Sequence, residues 1–347
     1  LNGGQFEGQP FELIGAGPGG PWQAFIVGSL YGWCGADGNR RFRVAYIEIG
    51  KSNGKSPLAA GMGLYCLTSD GEMRAECYAA AARKEQAMTL FRDAVAMRDQ
   101  SPALKRKIIA YGGLNPWRLF YPTTDSFFSV ISADDKQSGP RPSYAACDEI
   151  HEHADGTIVN MLRNGFKFRL NPLLVETTNS GVDKTSVCYE HHDYSMRVLE
   201  RRVEDDSWFA YVCGLAKRDS WKNPKTWIKA NPNLGVSVTE KYLQEQVKTA
   251  EGLPSQASLV RRLNFCQWVG ASTPWIDADK WTACEHEQLD LAQYRGSRCW
   301  AGLDLSTRTD LTALALVFLR PDGKGLDAFL FFWTPEEDLQ LRADRDK

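Results

Sequence analysis

The fold of this chain is decided by residues 46–56, which read Tyr-Ile-Glu-Ile-Gly-Lys-Ser-Asn-Gly-Lys-Ser. The apolar run over residues 42–49 predicts a buried strand, and it stops at a glycine-bounded loop before a helix that opens at Lys55. In such a unit of strand, loop and helix, the loop N–H groups and the positive end of the helix dipole face a phosphate. The stretch therefore predicts a phosphate-binding loop in an α/β fold.

Two residues carry the chemistry of this loop. Lys55 is expected to reach the terminal phosphates of a nucleotide, and the Ser56 hydroxyl is expected to ligate Mg²⁺. Asn53 and Gly54 lead into the helix and are candidate nucleotide contacts. The usual pattern G-x-x-x-x-G-K-[ST] is not met, because isoleucine stands five residues before Gly54. For this motif alone, a glycine-rich turn without a ligand is the alternative interpretation.

A second element, residues 142–149, supplies the acids that such a loop needs. It is a short apolar strand that ends in Asp148 and Glu149. Asp148 is predicted to hold Mg²⁺ through its water shell, and Glu149 to polarise a water for attack on the γ-phosphate. Two acids after a strand are usually a solvated turn, but here they follow a Gly-Lys-Ser loop by about ninety residues. The two elements together predict nucleotide hydrolysis.

Composition bounds the class of protein. With 347 residues, 43% of them hydrophobic, the chain is long enough for two domains or more. The net charge of −2 gives no global basic field, so any contact with DNA has to come from local patches. Nine cysteines without a C-x-x-C pair indicate reduced core residues of a cytoplasmic protein. No apolar run reaches the roughly 18 residues that span a bilayer, so no membrane partner is expected.

Three further residues are candidates for nucleotide contacts. Gln23 lies on a predicted helix over residues 21–33, where it either reads the adenine edge or is an exposed polar residue. Thr177 and Thr178 end a predicted buried strand, where they either sense the γ-phosphate or form an ordinary turn.

The order of elements predicts the architecture. Strands that alternate with helices indicate a mainly parallel, helix-covered sheet over residues 1–205. Residues 206–294 are tryptophan-rich and are interpreted as a lid or linker subdomain, with a capping box at Ser237 and Glu240. Residues 295–347 contain three strands with tight turns, which indicate an antiparallel meander. The chain opens without Met and closes in a charged stretch, so a fragment of a longer protein is expected.

Two possible metal sites stand outside the phosphate loop. His151 and His153 suggest a metal, but no third ligand stands at a useful spacing, so a solvated helix start is the favoured interpretation. Asp304 interrupts the apolar first strand of the meander. Because a buried carboxylate without a partner is costly, we expect Asp304 to bind a metal or a hydrogen-bonded neighbour.

With these motifs in order, the chain resembles the large terminase subunit of tailed bacteriophages over nearly its whole length. The stretches that carry the resemblance are Phe11-Glu12-Leu13 and residues 22–26, 31–33, 40–43, 53–56, 148–151 and 227–235. The short Walker A loop of this family accounts for the irregular glycine spacing. The family often carries an arginine in that loop, and Lys51 stands nearby in this chain as a candidate nucleotide contact.

The resemblance implies a DNA-packaging motor driven by ATP and Mg²⁺. Its expected architecture is a RecA-like ATPase domain with an additional strand, followed by a ribonuclease-H-like nuclease that uses Mg²⁺ or Mn²⁺ to cut concatemeric DNA. Such subunits act on double-stranded DNA as a homo-oligomeric ring on the portal protein of a procapsid, with a small terminase subunit. The expected location is the host cytoplasm and transiently the procapsid, not the mature virion.

The resemblance also implies roles for single residues. Asp304 would bridge the two metals of the nuclease, with Asp310 as a weaker neighbour, and the nuclease is expected to be incomplete in this chain. Arg141 is either an arginine offered to the neighbouring subunit or an ordinary loop arginine, with Arg83 and Arg98 as substitutes.

Two rival functions remain open from the sequence. Residues 148–151 also fit the box of a DExH-type helicase, which would need a second RecA-like domain. A non-catalytic scaffold that keeps the ATPase fold is the other alternative.

Overall fold

The computed structural model describes residues 21–132, 139–269, 281, 283–285, 289–305 and 312–333. The chain divides into two compact units, Leu1–Trp275 and Ile276–Lys347. In the described residues, no helix has both the length and the apolar character to cross a membrane.

The first unit is built on an eight-stranded sheet with the order β3-β4-β5-β2-β6-β7-β1-β8. In this order, the strands β5, β2, β6, β7, β1 and β8 pair in parallel with their neighbours. The strands β3 and β4 form an antiparallel edge beside β5. The predicted mainly parallel sheet is therefore confirmed. The strands are β1 (Val44–Glu48), β2 (Glu76–Ala81), β3 (Ile109–Tyr111), β4 (Arg118–Tyr121), β5 (Ser126–Ser132), β6 (Pro142–Asp148), β7 (Leu173–Thr178) and β8 (Trp208–Val212).

Helices cover both faces of this sheet. One hydrophobic core joins the sheet to α1, α2 and α3, and a second core joins its other face to α5 and α6. Residues of β1 alternate between the two cores, with Ala45 and Ile47 in the first and Val44 and Tyr46 in the second. The helices are α1 (Trp22–Gly32), α2 (Lys55–Thr68), α3 (Lys84–Gln100), α4 (Pro102–Lys107), α5 (Thr157–Asn164), α6 (Val187–Leu199), α7 (Glu240–Gly252) and α8 (Pro254–Phe265).

The strand β8 lies beyond the boundary predicted at residue 205. It pairs in parallel with β1, from Val44 opposite Trp208 to Glu48 opposite Val212. The segment 206–294 therefore begins with a strand of the main sheet. The sequence did not reveal it because its pairing partner is some 160 residues earlier in the chain.

A third, smaller core follows β8. It is formed by the 3₁₀ helix Pro224–Lys229 together with α7 and α8, and its large members include Trp221, Trp227 and Phe265. The cap of α7 differs from the predicted capping box, because the Thr239 hydroxyl, not that of Ser237, accepts a hydrogen bond from the first turn. We refer to residues 213–269 as the lid segment.

The second unit contains the predicted meander. Its strands β9 (Cys299–Asp304), β10 (Thr312–Leu319) and β11 (Leu326–Trp333) pair antiparallel in the order β11-β10-β9. Asp327 anchors the third strand, because its carboxylate accepts hydrogen bonds from the Tyr294 hydroxyl and from Arg320 Nε at 2.8 Å.

Candidate active site

The three predicted site elements meet at one edge of the main sheet. The strands β6, β7 and β1 are neighbours and run parallel, so their carboxyl ends lie side by side. Asp148 ends β6 and Glu149 follows it, the two threonines end β7, and the phosphate-binding loop follows β1. The crevice at the carboxyl ends of parallel strands is where α/β sheets bind ligands.

The loop after β1 turns sharply into α2. Ser52 has φ +66° and Gly54 has φ +84°, both in the left-handed region. Gly54 immediately precedes the helix, and a Cβ placed on it would lie 3.2 Å from Nε2 of Gln23. Gln23 is buried beside the loop, so the interpretation of this glutamine as an exposed polar residue is wrong.

Lys55 is the first residue of α2 and is buried. Its ammonium group donates to the main-chain oxygen of Ile49 at 2.7 Å and to Oδ1 of Asn179 at 2.7 Å. Both acceptors are neutral, so they hold the group between β1 and β7 without cancelling its charge. A buried, positioned positive charge is what the terminal phosphates of a nucleotide require.

Asp148 is hydrogen-bonded to Ser56, the other residue predicted to hold Mg²⁺, and to Thr177. The Ser56 hydroxyl donates to its Oδ2 at 2.9 Å, and the Thr177 hydroxyl donates to its Oδ1. The described residues contain no group of three His, Cys, Asp or Glu side chains able to hold a metal. One carboxylate and one hydroxyl, with waters and phosphate oxygens completing the shell, is the usual protein contribution to Mg²⁺ binding. This donor set therefore fits a magnesium nucleotide.

Glu149 follows Asp148 in a left-handed conformation, with φ +50°. Burial raises the pKa of its carboxyl group to about 7, although the charge of Lys55 opposes this shift. Its Oε2 lies 3.5 Å from Nδ2 of Asn179. A general base works best when its pKa is close to the working pH, so Glu149 is suited to accept a proton from water.

The two histidines do not form a solvated helix start. Nδ1 of His151 lies 3.1 Å from the Thr178 hydroxyl and 3.3 Å from Oε2 of Glu149. Burial, together with the charges of nearby cations, lowers the pKa of His151 to about 3, so the ring is neutral. His153 is also buried, and burial lowers its pKa. The favoured interpretation from the sequence was wrong because burial of these rings depends on tertiary packing.

Of four further predicted nucleotide contacts, Thr177, Thr178 and Asn53 have side chains bonded within the protein, and Lys51 is exposed. Thr177 bonds Asp148, while Thr178 donates to the Asn179 carbonyl at 2.7 Å. Asn53 is buried, and its side-chain amide is turned towards the lid segment, where it donates to Asn231. Lys51 is exposed, and its positive charge opposes the rise in the pKa of Glu149 that burial causes.

Asn179 and His151 contact the predicted site residues in ways that the sequence did not predict. Asn179 contacts both Lys55 and Glu149, and His151 contacts Glu149. The only sequence signal for Asn179 is its position directly after the two threonines at the end of a buried strand.

The candidate arginines occupy different edges of the sheet. Arg141 precedes β6 and is exposed, with its guanidinium 5.6 Å from the Phe168 ring centre. It lies roughly 20 Å from the acids, the length of a seven-residue strand, so it does not reach the site of its own chain. Arg83 follows β2 at the same edge as the acids and is exposed. Arg98 is bonded to the Ile108 carbonyl at 2.7 Å and paired with Asp99.

Asp304 ends β9 and is exposed, opposite Ala313 of β10. The prediction that this carboxylate is buried is therefore wrong, and the argument from its burial fails with it. Asp310 lies outside the described residues.

The fold is that of the RecA-like P-loop ATPases, and the site at its sheet edge fits a magnesium nucleotide. Two family models match the chain: the ATPase domain of the terminase large subunit over residues 21–197, and the endonuclease domain of the same subunit over residues 202–347. The chain belongs to the terminase large subunit family. The endonuclease match includes the segment 206–294 that the sequence assigned to a lid.

The chain is also similar to individual proteins. The chain is 26% identical to the terminase large subunit of Enterobacteria phage HK97 over 99% of its own length, and 29% identical to protein YmfN of Escherichia coli K12 over 58% of its length. It covers 64% of the HK97 protein and 45% of YmfN. The crystal structure of the HK97 large terminase superposes with a TM-score of 0.65, at 26% identity, and covers 97% of this chain and 66% of that one.

Proposed function

We propose that this chain hydrolyses ATP to drive double-stranded DNA into a procapsid, as the motor subunit of a packaging machine. The observation that carries the proposal is the meeting of Lys55, Ser56, Asp148 and Glu149 at one sheet edge. All four residues lie within residues 21–197, the stretch that the terminase ATPase family model matches.

Each residue has a distinct task in this proposal. Lys55 binds the terminal phosphates, while Ser56 and Asp148 hold Mg²⁺, which neutralises charge on the phosphate oxygens. Glu149 accepts the proton of the attacking water, and Asn179 holds the ends of Lys55 and Glu149 in place. Gln23, buried beside the loop, reads the adenine edge.

A packaging motor also implies partner proteins and a place of action. We propose a homo-oligomeric ring on the portal protein, served by a small terminase subunit, in the host cytoplasm and transiently on the procapsid. In such a ring Arg141, or else Arg83, is offered to the site of the neighbouring subunit.

The nuclease is the second activity of the proposal. Its support is the endonuclease match over residues 202–347 and the antiparallel meander that places Asp304 at the end of β9. We propose that Asp304, with Asp310, contributes to binding Mg²⁺ or Mn²⁺ for cleavage of concatemeric DNA. Plasmid nicking with either metal, lost on Asp304→Ala, tests this role.

ATP hydrolysis with and without double-stranded DNA tests the main proposal. We expect Mg²⁺-dependent hydrolysis that DNA stimulates and that Lys55→Ala abolishes. A folded chain that binds magnesium ATP but does not hydrolyse it would favour the non-catalytic scaffold. The helicase alternative has no comparable support, since the segment that would hold a second RecA-like domain matches a nuclease.

A further inference from the structure

The phosphate-binding loop is held from outside by asparagines of the lid segment. Asn231 and Asn233 approach it from a position about 180 residues later in the chain. Together with Asn53 of the loop itself they form a hydrogen-bonded group that we name the asparagine latch. None of the steps proposed for hydrolysis uses this group.

Asn53 is the loop side of the latch. Its Nδ2 donates to Oδ1 of Asn231 at 2.9 Å and to the Gly50 carbonyl at 2.8 Å, and its Oδ1 accepts from the Asn233 main-chain N–H at 3.0 Å. Asn53 and Asn231 are both fully buried. Buried amides stabilise a structure only when all their partners are in place, so this arrangement specifies one geometry.

Asn233 joins three elements. Its Oδ1 accepts from Nε1 of Trp22 at 2.8 Å, and its Nδ2 donates to the Asn53 carbonyl at 3.0 Å. Trp22 lies on α1 directly before Gln23, the proposed adenine reader. The side chain of Asn233 therefore ties the adenine side of the site, the phosphate loop and the lid segment to one another.

The loop needs such external support because part of it is strained. Ser52 is not a glycine and yet has φ +66°, a conformation that persists only where neighbours enforce it. Its carbonyl accepts from the Ser237 hydroxyl at 2.7 Å. The lid segment thus bonds the strained residue as well as the asparagine that follows it.

The first residues of the loop are also bonded to the lid segment. The N–H of Gly50 donates to the Ala230 carbonyl at 3.0 Å, and that of Lys51 donates to the Leu263 carbonyl at 2.8 Å. A Cβ on Gly50 would lie 2.6 Å from Oδ1 of Asn231, so only glycine allows this approach. These two N–H groups are therefore engaged by protein and do not point freely at a phosphate.

We propose that the asparagine latch positions the phosphate-binding loop for ATP, and that Asn233 couples the state of this loop to the lid segment. Asn233 is a positioning residue in this scheme, because it acts through Asn53 and Trp22. The inference rests on the proposed ATPase function. Its consequence is that loss of the latch weakens nucleotide binding more than it slows the chemical step, whose residues stay intact.

The test compares Asn233→Ala with Asn223→Ala in the full chain. Asn223 is a matched control, since it lies in the same lid segment but is exposed and caps only the short helix Pro224–Lys229. Amide hydrogen exchange is measured without nucleotide over residues 50–54. We expect exchange at Gly50 and Lys51 to be at least about tenfold faster in Asn233→Ala and unchanged in Asn223→Ala.

Kinetics supply the second readout. Asn233→Ala is expected to raise the KM for ATP about tenfold while kcat stays within about threefold of the parent, whereas a general loss of stability would not separate the two constants. Ser237→Ala, which removes a single bond to the loop, should give a smaller rise in KM.

Unchanged exchange at Gly50 and Lys51 in a folded Asn233→Ala chain would overturn the latch, and so would an unchanged KM. The two proposals fail separately. If the parent chain does not hydrolyse ATP, the proposed function fails, while the exchange experiment without nucleotide still decides whether Asn233 holds the loop.

Discussion

The carboxyl edge of the main sheet and the end of β9 carry candidate acids in opposite settings. Asp148 accepts hydrogen bonds from two hydroxyls, and Glu149 is held near Asn179 and His151. Asp304 is exposed at the end of its strand. The first setting fixes acids by their neighbours before any ligand binds, whereas the second leaves Asp304 open to solvent. Parallel strands bring distant residues to one edge, which an antiparallel meander of three strands does not.

The largest expected effect concerns Arg141, which lies before β6 at the edge of the main sheet opposite the acids. Arg141→Ala should lower ATP turnover of assembled rings by about 10³–10⁵-fold, since an arginine supplied in trans stabilises charge in the transition state. Turnover is measured on ring preparations, with Arg163→Ala, whose guanidinium lies 5.6 Å from the Trp208 ring centre, as the control arginine.

Turnover at the parent rate in Arg141→Ala rings would remove Arg141 from the mechanism. Arg83 would then be the better candidate, because it follows β2 at the edge that holds the acids.

A smaller effect is expected in the pH dependence of the site. Burial raises the pKa of Glu149 to about 7, and the base has to be ionised to act, so activity is lost as the pH falls through about 7. We expect kcat/KM, which reports the free enzyme, to fall about tenfold between pH 8 and pH 6. Lys51→Met should move the midpoint to higher pH, because the charge of Lys51 lowers this pKa.

A flat profile between pH 6 and pH 8 would show that Glu149 is not the titrating base. Lys84→Met, which changes an exposed lysine at the start of α3, is the matched charge control and should leave the midpoint in place.

The smallest expected effect is at Asp304. Because this side chain is exposed, Asp304→Ala should change the thermal midpoint by less than about 1 °C. Asp327→Ala, which removes the acceptor of Tyr294 and Arg320, should lower it by about 2 °C or more. Equal losses in the two variants would mean that Asp304 has structural partners after all.

Much of the phosphate site follows from local sequence. The loop of residues 50–54, the strand before it and the acids after β6 are each marked by short patterns of apolar and polar residues. The alternation of strands and helices then predicts a parallel sheet, and a parallel sheet places strand ends together. The alanine-rich β2, which suits a helix equally well by propensity, is a strand because both its faces are covered.

The remaining features depend on contacts between distant parts of the chain. The sequence does not show that β8 pairs with β1, that His151 and His153 are buried, or that the amide of Asn53 turns towards Asn231. The prediction that Asp304 is buried is wrong for the same reason, since β9 is apolar and yet exposed. Burial is a tertiary property, and period and composition indicate it only indirectly.

The most direct test of the account is the comparison of Lys55→Ala with Glu149→Gln. Lys55 is expected to contact phosphates in the ground state, whereas Glu149 acts on the attacking water. Nucleotide binding and ATP hydrolysis are therefore measured on both variants, after confirming that each is folded. We predict that both lose hydrolysis, by about 10²–10⁴-fold for Glu149→Gln, and that only Glu149→Gln still binds ATP with parental affinity. Equal loss of ATP affinity in the two variants would contradict the division of roles on which the site rests.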